Sequence, residues 1–107
     1  MRVEILRIED CPNWEAAGTR VQAALTALGI VASIKYRQLQ TPEDAAAVPF
    51  AGSPTILVNG SDLFPANGTI TDLACRVYPT PTGLAGLPTE DQITAALQVA
   101  LRLRDDR

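Results

Sequence analysis

Apolar residues recur along this 107-residue chain with two different periods, and the switches between them mark its elements. Val3 and Ile5 fall on one side of an extended segment and Leu6 and Ile8 on the other, as in a central strand covered on both faces. Trp14, Ala17, Val21, Leu25 and Leu28 follow with helical spacing, which predicts a helix over residues 14–28. Pro12 suits a helix's first position, and Gly29 suits its end. Ile30, Ala32, Ile34 and Tyr36 then alternate with Val31, Ser33, Lys35 and Arg37, predicting a second, less deeply buried strand. Strand, helix, strand at this spacing reads as a right-handed crossover between parallel strands.

The second half is more punctuated. Thr41-Pro42-Glu43-Asp44 opens a short helix: threonine caps it, proline takes the first turn and two acids complement its dipole. That helix should end near Val48-Pro49. Ser53-Pro54-Thr55 leads into the apolar strand Ile56-Leu57-Val58, and Asn59-Gly60 is a strong hairpin signal. Residues 61–72 are rich in turn formers and read as a loop, so the strand pairing with 56–58 is expected at 74–78. A further loop is expected from 79 to 86. Thr89 with Gln92 makes a capping box for a last helix, whose core stripe is Ile93, Ala96, Leu97, Ala100 and Leu101. The expectation is one domain over residues 1–107, ordered βαβ-α-ββ-α, forming a three-layer α/β sandwich over a mixed four-stranded sheet.

Composition narrows the functional classes. Nearly half of the residues are apolar and the net charge is −3, so a folded globule is expected. The basic residues form no cluster apart from Arg102, Arg104 and Arg107, which mix with Asp105 and Asp106; no nucleic-acid partner is expected. No apolar run approaches a membrane span and the first residues read as a strand, so no membrane partner is expected and a cytoplasmic protein is the default. The sequence has no histidine and two cysteines, Cys11 and Cys75. A cysteine–histidine mechanism and the mixed histidine–cysteine zinc sites are thereby excluded, and two thiols are too few for a four-thiolate metal. They suffice for one disulfide, or for a soft metal that accepts two sulfurs. No cofactor is implied.

The chemistry centres on Cys11-Pro12-Asn13-Trp14, at the junction of the first strand and first helix. A cysteine there meets unpaired backbone N–H groups and the positive end of a helix dipole, which favour a thiolate. Glu9, Asp10 and Glu15 oppose that ionisation, while Arg7 supports it. The other reading of Cys11 is a small, half-buried and inert hydrophobe. Trp14 either covers Cys11 or continues the helix's core stripe. Asp10 either accepts a proton from a reacting thiol or simply ends a strand in water. Asp62 is expected to cap its own loop as an Asx-turn, with Phe64 anchoring that loop to the core. Cys75 shares a strand face with Val77, which points to a buried structural cysteine, and Arg76 on the opposite face to a solvated charge. A strand running over 74–78 starts far from Cys11, so the α-carbons should not come within the roughly 7 Å that a disulfide needs.

The order of elements, the Cys-Pro turn after the first strand and the Gly52-Ser53-Pro54-Thr55 entry to the third together resemble the thioredoxin fold. More narrowly, the chain resembles small actinobacterial thioredoxin-like proteins labelled alkylmercury-lyase-like or "DF" family (seleno)proteins. The matching residues also include the Asn59-Gly60 turn with Asp62 and Phe64, Cys75-Arg76-Val77-Tyr78, and Thr82-Gly83-Leu84-Ala85-Gly86. The resemblance implies that Pro54 follows a cis peptide bond and packs beside Cys11, leaving Ser53 to pair with an extended, thiol-bearing substrate by strand addition. Two departures stand out: Trp14 occupies the place of a dithiol protein's second cysteine, and Leu63 stands where proline is frequent. The resulting expectation is a monothiol protein exchanging disulfides through Cys11, with a thiol-bearing protein or a low-molecular-weight thiol such as glutathione as partner. The alternatives are a binding module that kept the fold and lost the activity, and a soft-metal or organomercurial-handling protein using Cys11, Cys75 and Asp10.

Overall fold

The computed structural model describes residues 1–65 and 68–105. The alternating and helical patterns resolve into β1 (Arg2–Arg7), α1 (Trp14–Ala27), β2 (Ser33–Gln38), α2 (Pro42–Ala46), β3 (Thr55–Val58), β4 (Ser61–Asp62), β5 (Tyr78–Thr80), β6 (Gly83–Ala85) and α3 (Glu90–Asp105). One sheet has the order β2-β1-β3-β4. β1 and β2 run parallel, with Ile5 opposite Tyr36, and β3 runs antiparallel to β1, with Ile56 opposite Ile5. The architecture is therefore mixed α/β, with a mixed four-stranded sheet and three helices.

The two faces of β1 carry two cores, as its doubled apolar pattern requires. Val3 and Ile5 join Ile56 and Val58 against Ala17, Val21 and Leu25 of α1 and Ile93 and Leu97 of α3. Leu6, Ile8 and Leu57 meet Leu39, Ala45 of α2 and Phe50 on the opposite face, and Cys11 belongs to this second cluster. Thr41 caps α2 as expected, with Asp44 completing a capping box, and the expected Thr89–Gln92 box forms on α3. β2 is the outer strand, largely exposed, with the Tyr36 hydroxyl lying on Gly18.

Three expectations change. The strand pairing with β3 is Ser61–Asp62, immediately after the Asn59-Gly60 turn, and not 74–78. Asn59 and Gly60 both have positive φ, so the two-residue turn closes the hairpin at once, and the ladder ends before Pro65. The segment expected as a loop, 79–86, instead takes part in a small hairpin, in which Tyr78 faces Ala85 and Thr80 faces Gly83. Finally, α1 begins at Trp14 with Asn13 at its N-cap, so Pro12 lies in the preceding turn and not in the helix.

Candidate functional site

β1 ends at Arg7, and the chain bends through Glu9 and Asp10 so that the Cys11 N–H reaches the Ile8 carbonyl at 3.3 Å. Cys11 thus precedes the α1 cap residue by two positions and does not cap the helix, which lacks a side-chain cap. Its thiol points into the molecule, is 1% exposed, and donates to the Ser53 carbonyl at 3.4 Å. The Ser53–Pro54 peptide bond is cis, as the resemblance implied. Ser53 ties the strand ends together, its hydroxyl accepting from the Ile8 N–H at 3.1 Å. Cys11 and Pro54 are thereby brought side by side by the two central strands.

Cys75 is the larger surprise. The expectation that it lies remote from Cys11 and buried is overturned on both counts: it is exposed, and it bridges Ser53, whose carbonyl accepts the Cys11 thiol. The cause is the short β4. Because the ladder partner of β3 is spent at Asp62, the following chain is free to cross back over the end of the sheet. There Cys75 forms an isolated parallel bridge with Ser53. The Ser53 N–H donates to the Ala74 carbonyl at 2.9 Å and the Arg76 N–H to the Ser53 carbonyl at 2.8 Å. Both cysteines are free thiols. Hydrogen bonding to Cys11 is the main cause that raises the Cys75 pKa, followed by partial burial and the charges of Cys11 and Asp10.

Arg76 is buried, contrary to its reading as a solvated strand charge. One guanidinium nitrogen donates to an Asp62 carboxylate oxygen at 2.9 Å, with side-chain exposures of 8% for Arg76 and 13% for Asp62. Another donates to the Phe64 carbonyl, and the cation stands 4.5 Å from the centre of the Tyr78 ring. Tyr78 in turn donates its hydroxyl to the Pro54 carbonyl. Its pKa is raised well above the ordinary phenol value, chiefly by burial. Asp62 also accepts from the Phe64 N–H at 2.9 Å, the expected Asx-turn, and Phe64 packs on the first core. Gly52 permits this arrangement: its φ is +110°, and a Cβ there would come within 2.7 Å of the Arg76 Cβ.

Trp14 does not cover the thiol. Its ring meets Tyr36 edge-on at 5.3 Å, and the Arg7 guanidinium lies 4.0 Å from its centre. Asp10 is exposed at the mouth of the site. Gly86 lies against the turn that follows Cys11, where a Cβ on it would come within 2.4 Å of the Asn13 amide nitrogen. Of the residues singled out in the sequence, Cys11, Ser53, Pro54 and Cys75 converge, Asp10 sits at the rim and Trp14 lies apart. Asp62, Arg76 and Tyr78 form a buried polar group that sequence reasoning missed. Its only signal was an arginine sharing the parity of Tyr78.

Among the described residues, no three cysteine or acidic side chains gather as a metal site. Nor is any helix among them long and apolar enough to cross a membrane. No family model, curated protein or solved structure matches the chain.

Proposed function

We propose that this is a thioredoxin-like protein that exchanges disulfides through Cys11, with Cys75 as the second sulfur. The supporting observation is the convergence of both cysteines on Ser53: its carbonyl, which precedes Pro54, accepts the Cys11 thiol, and Cys75 bridges it backbone to backbone. The strand order β2-β1-β3-β4, with α1 and α3 on one face and α2 on the other, supports the fold assignment.

The roles follow from environment. Cys75 is exposed but held as a thiol by its neighbour, which makes it a poor first nucleophile at neutral pH. Cys11, at the approach to α1, attacks a substrate disulfide: the S–S bond breaks, a Cys11 mixed disulfide forms, and the departing sulfur takes the Cys11 proton and leaves as a thiol. Cys75 then loses its proton, with the Asp10 carboxylate at hand as acceptor, and attacks the Cys11 sulfur. The second substrate thiolate departs and a Cys11–Cys75 disulfide remains. The substrate has gained the two electrons that the protein thiols have lost, and a low-molecular-weight thiol such as glutathione restores them. Trp14 fills the place of the usual neighbouring cysteine with an Arg7-stacked ring, which is why the resolving sulfur comes from across the fold.

Trapping tests this. Reduced Cys75→Ser protein incubated with a peptide disulfide should accumulate a mixed disulfide on Cys11, whereas Cys11→Ser should form none at a comparable rate. Preferential capture on Cys75 would refute the assignment. A second reading, two-sulfur coordination of a soft cation, is favoured by the same adjacency. Stoichiometric silver or mercuric ion binding that is lost in either single-cysteine variant, without any disulfide exchange, would select it instead.

A further inference from the structure

The proposed exchange meets an obstacle in the resting structure, because Cys11 is shut away from solvent by the chain itself. Ser53 has no free backbone group with which to hold a substrate strand: Ala74 takes its N–H, and Arg76 and Cys11 take its carbonyl. The expected strand addition at Ser53 is thus already made, in parallel, by Ala74-Cys75-Arg76. The occupying segment is lightly held. Residues 69–75 are exposed apart from Leu73, half-buried against the cluster that holds Cys11, and among the described residues the other backbone tie outside the segment is the Ile70 N–H to the Phe50 carbonyl at 2.8 Å. Among the described residues its fully buried anchor is Arg76, lodged between the Asp62 carboxylate, the Phe64 carbonyl and the Tyr78 ring.

We propose that Ala74-Cys75-Arg76 is a built-in pseudosubstrate, occupying the docking site of an extended peptide whose cysteine is followed directly by arginine. This rests on the exchange reading above and names its substrate class. The site's chemistry specifies each position. Ser53 pairs with the backbone on either side of the incoming cysteine, Cys11 meets its sulfur, and the anionic Asp62 with the Tyr78 face accepts a planar cation one residue later. A glutamate at that last position would bring a second carboxylate against Asp62 in a largely desolvated cage, and would be rejected. Displacement needs Arg76 to leave the cage, with exposed Val77 as the pivot. The segment swings back to deliver Cys75 as resolving sulfur.

The test uses the full chain as Cys75→Ser, so that Cys11 is the sole thiol. Octapeptides centred on Ala-Cys-Arg or Ala-Cys-Glu, each activated as a thionitrobenzoate mixed disulfide, are followed by release of the chromophore. The arginine peptide should react at least about tenfold faster, as a buried charge pair requires. Asp62→Asn should remove most of that preference, and Arg76→Ala should speed both peptides. A small neutral disulfide, hydroxyethyl thionitrobenzoate, separates the two levels of the proposal. If it reacts readily with the Arg76→Ala protein while the peptides are indistinguishable, the exchange reading stands and the pseudosubstrate falls. If Cys11 resists every reagent even then, both fall. Should Arg76→Ala fail to fold, amide hydrogen exchange on the unaltered chain decides. The Arg76 amide must open faster than those of Ile5 and Ile56, and equal protection overturns the proposal. A disulfide from Cys11 of one chain to Cys75 of another would also overturn it, in favour of segment exchange between copies.

Discussion

Asp62→Asn probes the Arg76 cage with the least disturbance, because the amide keeps an oxygen for the Phe64 N–H while removing the charge opposite Arg76. With Arg76 at 8% side-chain exposure, losing the charge partner of a buried pair costs about 3–5 kcal/mol. The Phe64 carbonyl and the Tyr78 ring retain the cation, which places the value near the lower end, about 3 kcal/mol. Opening the segment offers another escape. It forfeits the backbone bonds from Ser53 to Ala74, from Arg76 to Ser53 and from Ile70 to Phe50, at about 1 kcal/mol each. The two costs are alike, so the variant should unlatch locally before it melts. Calorimetry should show Tm falling by about 12–24 °C, since 1 kcal/mol corresponds to about 4–8 °C in a domain near this size. Exchange of the Arg76 amide should accelerate by about a hundredfold, the factor equivalent to about 3 kcal/mol. Adding Arg76→Met removes the stranded cation and should recover more than half of the lost stability. A single variant melting within about 2 °C of the parent, with unchanged Arg76 exchange, would refute the buried-pair reasoning.

Other perturbations address neighbouring parts of the site. Because contact with Cys11 raises the Cys75 pKa, the pH midpoint of Cys75 alkylation should lie above the usual thiol value of about 8.5 and fall back toward it in Cys11→Ala. The raised Tyr78 pKa has a definite sign: the unfolded phenol ionises first, so its contribution to stability is complete below about pH 10 and is lost above it. Tyr78→Phe should therefore flatten the alkaline decline in Tm, while costing about 1–3 kcal/mol at neutral pH by stranding the Pro54 carbonyl. Gly52→Ala combines a left-handed φ with a clash against the Arg76 backbone. It should lower stability by at least about 1 kcal/mol and speed Cys11 alkylation, both measurable by denaturant titration and mass-resolved labelling.

The fold was legible wherever local chemistry and burial agreed. The doubled apolar pattern of β1, the Asn59-Gly60 turn, the Thr41 cap and the Thr89–Gln92 box each express a short-range rule, and each formed as expected. The return strand was misplaced because turn formers after Gly60 concealed a ladder only two residues long. That error propagated into the site. Assigning 74–78 to a regular strand put Cys75 and Val77 inside, when the buried parity belongs to Arg76 and Tyr78. An arginine on the inner parity is intelligible only with its anion, and Asp62 lies fourteen residues away in sequence, on a turn with its own local explanation. Cys11 and Pro54 were readable from their motifs. Their meeting with Cys75 depended on a crossing that has no periodic signature.

Controlled oxidation followed by disulfide mapping reaches the central claim most directly. Equilibrating the reduced, unaltered chain with graded mixtures of glutathione and its disulfide should yield one two-electron product, an intrachain Cys11–Cys75 bond, with transient glutathione on Cys11. If the chain instead carries stable glutathione on Cys75 while Cys11 stays a free thiol at every ratio, the two sulfurs do not act together and the account is wrong.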